Sequence, residues 1–198
     1  DLDTIKFKIN PKELSLFLET SNPKITYREI IVPVKNIKAY IDFLSLLNSD
    51  PIIKKTSILL EELDIKELNE LAKMIKPSNF RSLLNNKIEG GKLISEVEFY
   101  FSDSGTIKNF IAKGTIKDLK INLFSDLIFS KVSLGFFADK NDILIKNIFG
   151  NLEEVKISEG DIKLNIENGI KLESNFNSKL NFDKNLINKY DKFFNKYQ

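Results

Sequence analysis

The amino-acid sequence predicts a mainly β protein with short helices, built on a curved antiparallel sheet of meander type. Three observations predict it. From Gly90 onward, apolar and polar residues alternate through one strand length after another, the period-two pattern of half-buried strands. Turn signals separate these runs, among them Ser102-Asp103-Ser104-Gly105, Asp139-Lys140-Asn141-Asp142 and Asn168-Gly169. The composition, 42% hydrophobic with 16 Phe in 198 residues, is too apolar for a disordered chain and sufficient for a core.

The elements follow in order. Ile5 to Ile9 alternates and stops at Asn10-Pro11, which predicts a short strand. Tyr27 to Val34 is β-branched, with Pro33 limiting it to a strand end or an edge. Ile37, Tyr40, Ile41, Leu44 and Leu47 fall at helical spacing and predict a helix over 36–48, ended by Asn48-Ser49-Asp50-Pro51. Thr56 to Ile65 reads as a strand. Leu68, Leu71, Ala72 and Ile75, with Phe80, Leu83 and Leu84, then predict helix over 66–85. Residues 1–90 thus form a mixed strand and helix segment.

Residues 91–183 form the meander. Leu93, Val97, Phe99 and Phe101 share one side of a strand, with Glu96 and Glu98 on the other. Ile107 to Ala112 reads as the next strand, then Gly114 and a strand with Leu119, Ile121 and Leu123 on one face. Ile128, Val132, Leu134 and Phe136 make the following face. Ile143, Ile145, Val155, Ile157, Ile162, Leu164, Ile166, Ile170, Leu172, Phe176, Leu180 and Phe182 continue it, with turns expected at Gly150 and at Glu159-Gly160. About eight strands are expected between 92 and 183, with few elements to cover them. Residues 184–198, with Leu186, Ile187, Tyr190, Phe193 and Phe194, read as a C-terminal amphipathic helix.

The chemistry is conspicuous for what it lacks. There is no His and no Cys, so the commonest general base, thiolate nucleophiles and zinc sites are excluded. The 30 basic and 28 acidic residues interleave without long runs, which argues against nucleic acid as a partner. Gly90-Gly91-Lys92 fails the phosphate-loop pattern, because Asn86 and Leu93 stand where Gly and Ser or Thr are required. Asp139 to Asp142 lacks the Gly and distal Glu of a calcium loop. Glu61-Glu62 and Glu153-Glu154 are sequence neighbours, which point to opposite faces of a strand and suit no acid and base pair. No Gly-x-Ser-x-Gly elbow exists. No catalytic residue, metal or cofactor is expected. The sequence begins at Asp1, shows no signal peptide and no apolar run of the ~18 residues a membrane span needs, and reads as a soluble piece of a longer protein.

What remains is a long, one-sided apolar surface. It reads either as the sealed core of a β-sandwich or β-solenoid module without ligand, or as an open trough that holds lipid acyl chains. Acyl chains need buried area, at about 25 cal/mol per Å², and no directional contacts. The residues expected to line such a trough are Leu93, Val97, Phe99, Phe101, Leu119, Ile121, Leu123, Val132, Leu134, Phe136, Ile162, Leu164 and Ile166.

The stretch 55–183 resembles the AsmA-like superfamily of bacterial envelope proteins, in particular its long YhdP-type and TamB-type members. The likeness lies in Gly91-Lys92-Leu93, a Phe-rich strand, then Gly105 to Phe110, Gly114 to Leu119, Ile145 to Gly150 and Gly160 to Leu164. Leu59 to Ile65, followed by a short helix, resembles the family's strand-then-helix insert. The resemblance implies a repeating β-groove that carries phospholipid between inner and outer membranes. It also implies a periplasmic setting, with an inner-membrane anchor in parts of the protein outside this chain.

Overall fold

The computed structural model describes residues 4–10, 15–27, 30–67, 87–124, 127–153, 155–167 and 171–179, with the isolated Asn188. Among the described residues, twelve strands and one complete short helix follow in order. They are β1 (Ile5–Asn10), β2 (Ser15–Ser21), β3 (Lys24–Tyr27), β4 (Ile30–Ile41), α1 (Phe43–Leu47), β5 (Ile53–Leu60), β6 (Leu63–Asp64), β7 (Ile88–Phe101), β8 (Ile107–Phe124), β9 (Leu127–Ala138), β10 (Asp142–Leu152), β11 (Val155–Asn165) and β12 (Lys171–Lys179). The sheet runs β1-β2-β4-β5-β7-β8-β9-β10-β11-β12, each neighbour antiparallel, with β3 pairing β4 and β6 pairing β7. This is a meander in sequence order, because antiparallel neighbours need no crossover; β3 intervenes between β2 and β4, and residues 61–87 with β6 between β5 and β7.

Two turns form as their residues dictate. Gly105 takes a left-handed φ of 78° and its N–H donates to the Ser102 carbonyl at 2.9 Å. The Asp139 carboxylate accepts from the Asn141 and Asp142 N–H groups at 2.8 and 2.9 Å, an Asx turn that holds its pKa below the usual value.

Several expectations are corrected. Residues 36–41 are strand, part of β4, and only 43–47 are helical. Ile37 and Ile41 suit a helical period, but with Ala39 they also alternate, and pairing with both β2 and β5 decides the outcome. Residues 107–124 form one strand of 18 residues, not two separated at Gly114. Gly150 and Gly160 also lie inside strands, and six strands, not eight, occupy 88–179 among the described residues. These glycines leave room for rings rather than making turns. A Cβ on Gly114 would lie 2.9 Å from the Phe136 ring, and one on Gly160 would lie 2.4 Å from the Phe176 ring. Each phenylalanine sits directly opposite its glycine on the neighbouring strand and lies down over it. Ile65 to Glu67 is helical, while the remainder of the helix expected over 66–85, the Asn168-Gly169 turn itself and the C-terminal helix over 184–198 lie outside the described residues.

The core forms where the strands are bulged. Asp118 in β8, Lys131 in β9 and Asn147 in β10 each adopt a left-handed φ, at 51°, 52° and 53°, and each coincides with a shift in register. A bulge adds one residue to a strand and so reverses which face the next side chain occupies. The next residues are Leu119, Val132 and Ile148, exposed to only 3%, 0% and 2%. Together with Leu93 and Ile65 they form the buried cluster, and Ile116, Ile121, Phe129, Leu134, Phe136, Ile145 and Ile162 pack against it. The bulge residues themselves point to solvent.

A left-handed Lys carries a steric cost that glycine lacks. Lys131→Gly is therefore expected to leave urea stability unchanged or raise it by about 1 kcal/mol. Lys163→Gly, at an exposed strand position paired in register on both sides, is expected to lower it by about 1 kcal/mol. Equal losses in both variants would show that the bulge is not set by this conformation.

Candidate apolar binding face

In an antiparallel pair, residues directly opposite share a face, so the register traces each row of side chains across the sheet. One row reads Ile5, Thr20, Ile37, Ile58, Val97, Ala112, Ala138, Ile143, Leu164 and Leu172, one residue from each of ten strands. Nine of the ten are aliphatic. A second row on this face reads Phe7, Leu18, Ala39, Thr56, Phe99 and Phe110. On the other side of the first row lie Ser95, Gly114, Phe136, Ile145, Ile162 and Ser174. Ten strands at about 4.8 Å give this apolar strip a width of about 43 Å.

The opposite face is polar over β1 to β8. Glu19 takes Lys8 as an ion-pair partner, accepts from the Asn36 amide at 2.9 Å and has Lys38 at 3.8 Å. Glu96 accepts from Ser57 at 2.6 Å and pairs with Lys113 at 3.1 Å. Glu98 pairs with Lys55 at 3.6 Å and accepts from the Tyr100 hydroxyl at 2.6 Å. The Lys8 bond is the main cause that holds Glu19 below its ordinary pKa, and the Ser57 bond does the same for Glu96. The Tyr100 phenol is pushed from 10 up to about 12, first by its bond to the Glu98 carboxylate and then by burial. Phe17 stacks obliquely on Tyr40 at 5.2 Å, and the Lys55 ammonium sits 4.3 Å from the Tyr40 ring. A hollow of about 490 Å³ also opens on this face, beside Glu19, Lys38, Ser57 and Glu96, whose charged groups already hold one another. No group of acidic residues suited to a metal ion occurs among the described residues.

The thirteen residues singled out from sequence fall into four groups. Leu93, Leu119 and Val132 are buried in the core cluster. Ile121, Leu134, Phe136 and Ile162 are half-buried against it, and Val97, Phe99, Phe101 and Leu164 are half-buried beyond it. Ile166 lies past the end of β11, held by its N–H to the Asn141 carbonyl, and is exposed. Leu123 belongs to β8, but its side chain is outside the described set. The sequence reading passed over Ile37, Ala39 and Ile58, and the contributions of Ala112, Ala138 and Phe129. Ile128, expected on the apolar face, sits opposite Asn122, and Phe129 takes its place opposite Ile121, because of the bulge at Lys131.

Exposure on the apolar face increases toward both sheet edges. Phe7 on β1 is 55% exposed and Leu172 on β12 is 63% exposed. Such a face can hold apolar matter by contact area, and the hydroxyls of Thr20, Thr56, Ser95 and Ser174 are the polar side-chain groups in these three rows. No family model, curated protein or solved structure matches the chain.

The Tyr100 shift has a sign that can be checked. The unfolded phenol ionises near 10 while the folded one stays protonated to about 12, so stability present below pH 10 is lost as pH rises through that interval. Urea unfolding at about pH 9 and about pH 11.5 is expected to show a larger loss for the native chain than for Tyr100→Phe. Equal losses would place the bond to Glu98 outside the folded state in solution.

Proposed function

We propose that this chain is a section of a lipid-holding β-groove, whose floor is the apolar face and whose ligands are phospholipid acyl chains. The observation that carries the reading is the row from Ile5 to Leu172, apolar at nine of ten positions and still exposed at both edges. A monomer with a sealed core has no reason to carry its apolar face undiminished to both outer strands. The bulges at Asp118, Lys131 and Asn147 bend and twist their strands, and we read the sheet as curved about its apolar side.

The dimensions suit acyl chains. A bilayer's hydrocarbon core is about 30 Å for two chains, so one chain of about 15 Å lies across three or four strands. Half-burying some fifteen CH₂ groups at about 0.8 kcal/mol each gives on the order of 6 kcal/mol before entropic costs. That is enough to hold a chain and shallow enough to let it slide, and no catalytic group is required. Conduction along an open floor agrees with the resemblance to the AsmA-like envelope proteins. On this reading the chain works in the periplasm, between inner and outer membranes, with anchoring supplied by other parts of the protein.

Native mass spectrometry of the protein purified from cells tests this. Co-purified phospholipid is expected with the native chain, and at least tenfold less with Phe99→Glu, which places a charge on the floor. Phe99 is half-buried, so the variant is expected to keep its strand signature in circular dichroism. A lipid-free native chain, or a Phe99→Glu variant that unfolds cooperatively, would instead assign these residues to a closed core.

A further inference from the structure

The turn between β4 and β5 is built inside out. Its one buried helical side chain is polar, Ser45, while its apolar side chains face solvent. Phe43 is 53% exposed, Leu44 67% and Leu47 65%. Such exposure is not looseness. Asp42 caps the helix, accepting from the Ser45 N–H at 2.9 Å, and the Ser45 hydroxyl donates to the Asp42 carbonyl at 2.8 Å. The same hydroxyl accepts from the Ile52 N–H at 2.9 Å, and the Asp42 N–H donates to the Ile52 carbonyl at 3.0 Å. The polar groups are consumed in holding the turn, and the apolar ones are presented.

The place of this turn matters as much as its composition. Ile41 ends β4 on the apolar face, two residues before Phe43, in the row Ile9, Leu16, Ile41 and Ile53. Ile9 is 65% exposed and Ile53 45% exposed, so the apolar face stays open at the strand ends, one residue, the cap Asp42, away from Phe43 along the chain. Around a helix, residues 43, 44, 46 and 47 span every direction except that of Ser45. A flat protein groove contacts one side of a helix, whereas a fluid hydrocarbon phase surrounds all of it.

We infer that α1 is a membrane-contacting lip, which dips into the interface of a phospholipid bilayer and sets the strand-end rim of the floor against it. The inference rests on the groove reading and adds where lipid enters. Among the described residues the charges around the turn include Asp42, Asp50 and the Lys54–Asp103 ion pair, with Lys108 near Asp103, which balance and make no basic patch. Contact area holds the turn in the bilayer, and zwitterionic lipid suffices. A chain leaving the bilayer beside Leu44 meets Ile41 and Ile53 without crossing water.

The chain contains no Trp, so Leu44→Trp places a single reporter on the lip. With vesicles of phosphatidylcholine, its emission is expected to shift to the blue, and brominated acyl chains are expected to quench it. In flotation with the same vesicles, the Phe43→Ser/Leu44→Ser/Leu47→Ser variant is expected to bind at least tenfold more weakly. It should still retain lipid supplied in detergent, because its floor is intact. An unshifted reporter in a chain that holds detergent-supplied lipid would overturn the lip and leave the groove standing. A chain that neither shifts nor holds lipid would remove both. A blue shift that needs high protein concentration and no vesicles would overturn the lip in favour of a contact between copies.

Discussion

Register is the constraint on which the rest of this structure depends. Side chains alternate along a strand with a period of two, so a slip of one residue would carry a whole strand's apolar set to the opposite face. Along the ten-strand path of the sheet, paired in sequence order, each register fixes the next, from Ile5 against Thr20 to Leu164 against Leu172. One continuous apolar face exists only because every pairing keeps phase. Where strands would drift out of phase, the bulges at Asp118, Lys131 and Asn147 absorb the extra residue and restore it.

The same bulges locate the stability. Leu119, Val132 and Ile148 are turned inward immediately after them and meet Leu93 and Ile65, which makes one dense patch in an otherwise thin sheet. Elsewhere the apolar face is mostly half-buried or exposed, with Leu16 and Thr20 buried on β2, and lateral contacts on the opposite face tie the strands together. The network through Glu19, Glu96 and Glu98 reaches from β1 to β8 and occupies the side that faces water. Ion pairs at exposed positions contribute little each, but their arrangement keeps that face polar and unsuited to packing. A sheet with one wet side and one apolar side follows from this division.

Much of the architecture was legible in the sequence because alternation survives in single strands. β1, β7 and the Asp139–Asp142 turn follow from their residues alone. The long strand β8 was split in reading, since Gly114 looks like punctuation until Phe136 is seen lying over it from β9. Residues 36–41 satisfied both periods, and only pairing with β2 and β5 distinguishes them. Bulges were invisible, because Asp118, Lys131 and Asn147 are ordinary polar residues whose left-handed conformation is imposed by neighbours on both sides. The apolar face was therefore legible only strand by strand: Leu119 and Val132 do lie opposite each other, while Phe129, not Ile128, lies opposite Ile121.

The central claim is that one face of this sheet, and not the other, holds lipid. Ala112 and Lys113 are chain neighbours in the middle of β8, on opposite faces and both reachable. A photo-crosslinking amino acid placed at each position in turn, with the protein irradiated in cells, asks the question directly. Phospholipid adducts at position 112 and none at position 113 are the predicted result. Adducts at both positions, or at neither, would contradict a lipid-holding apolar face.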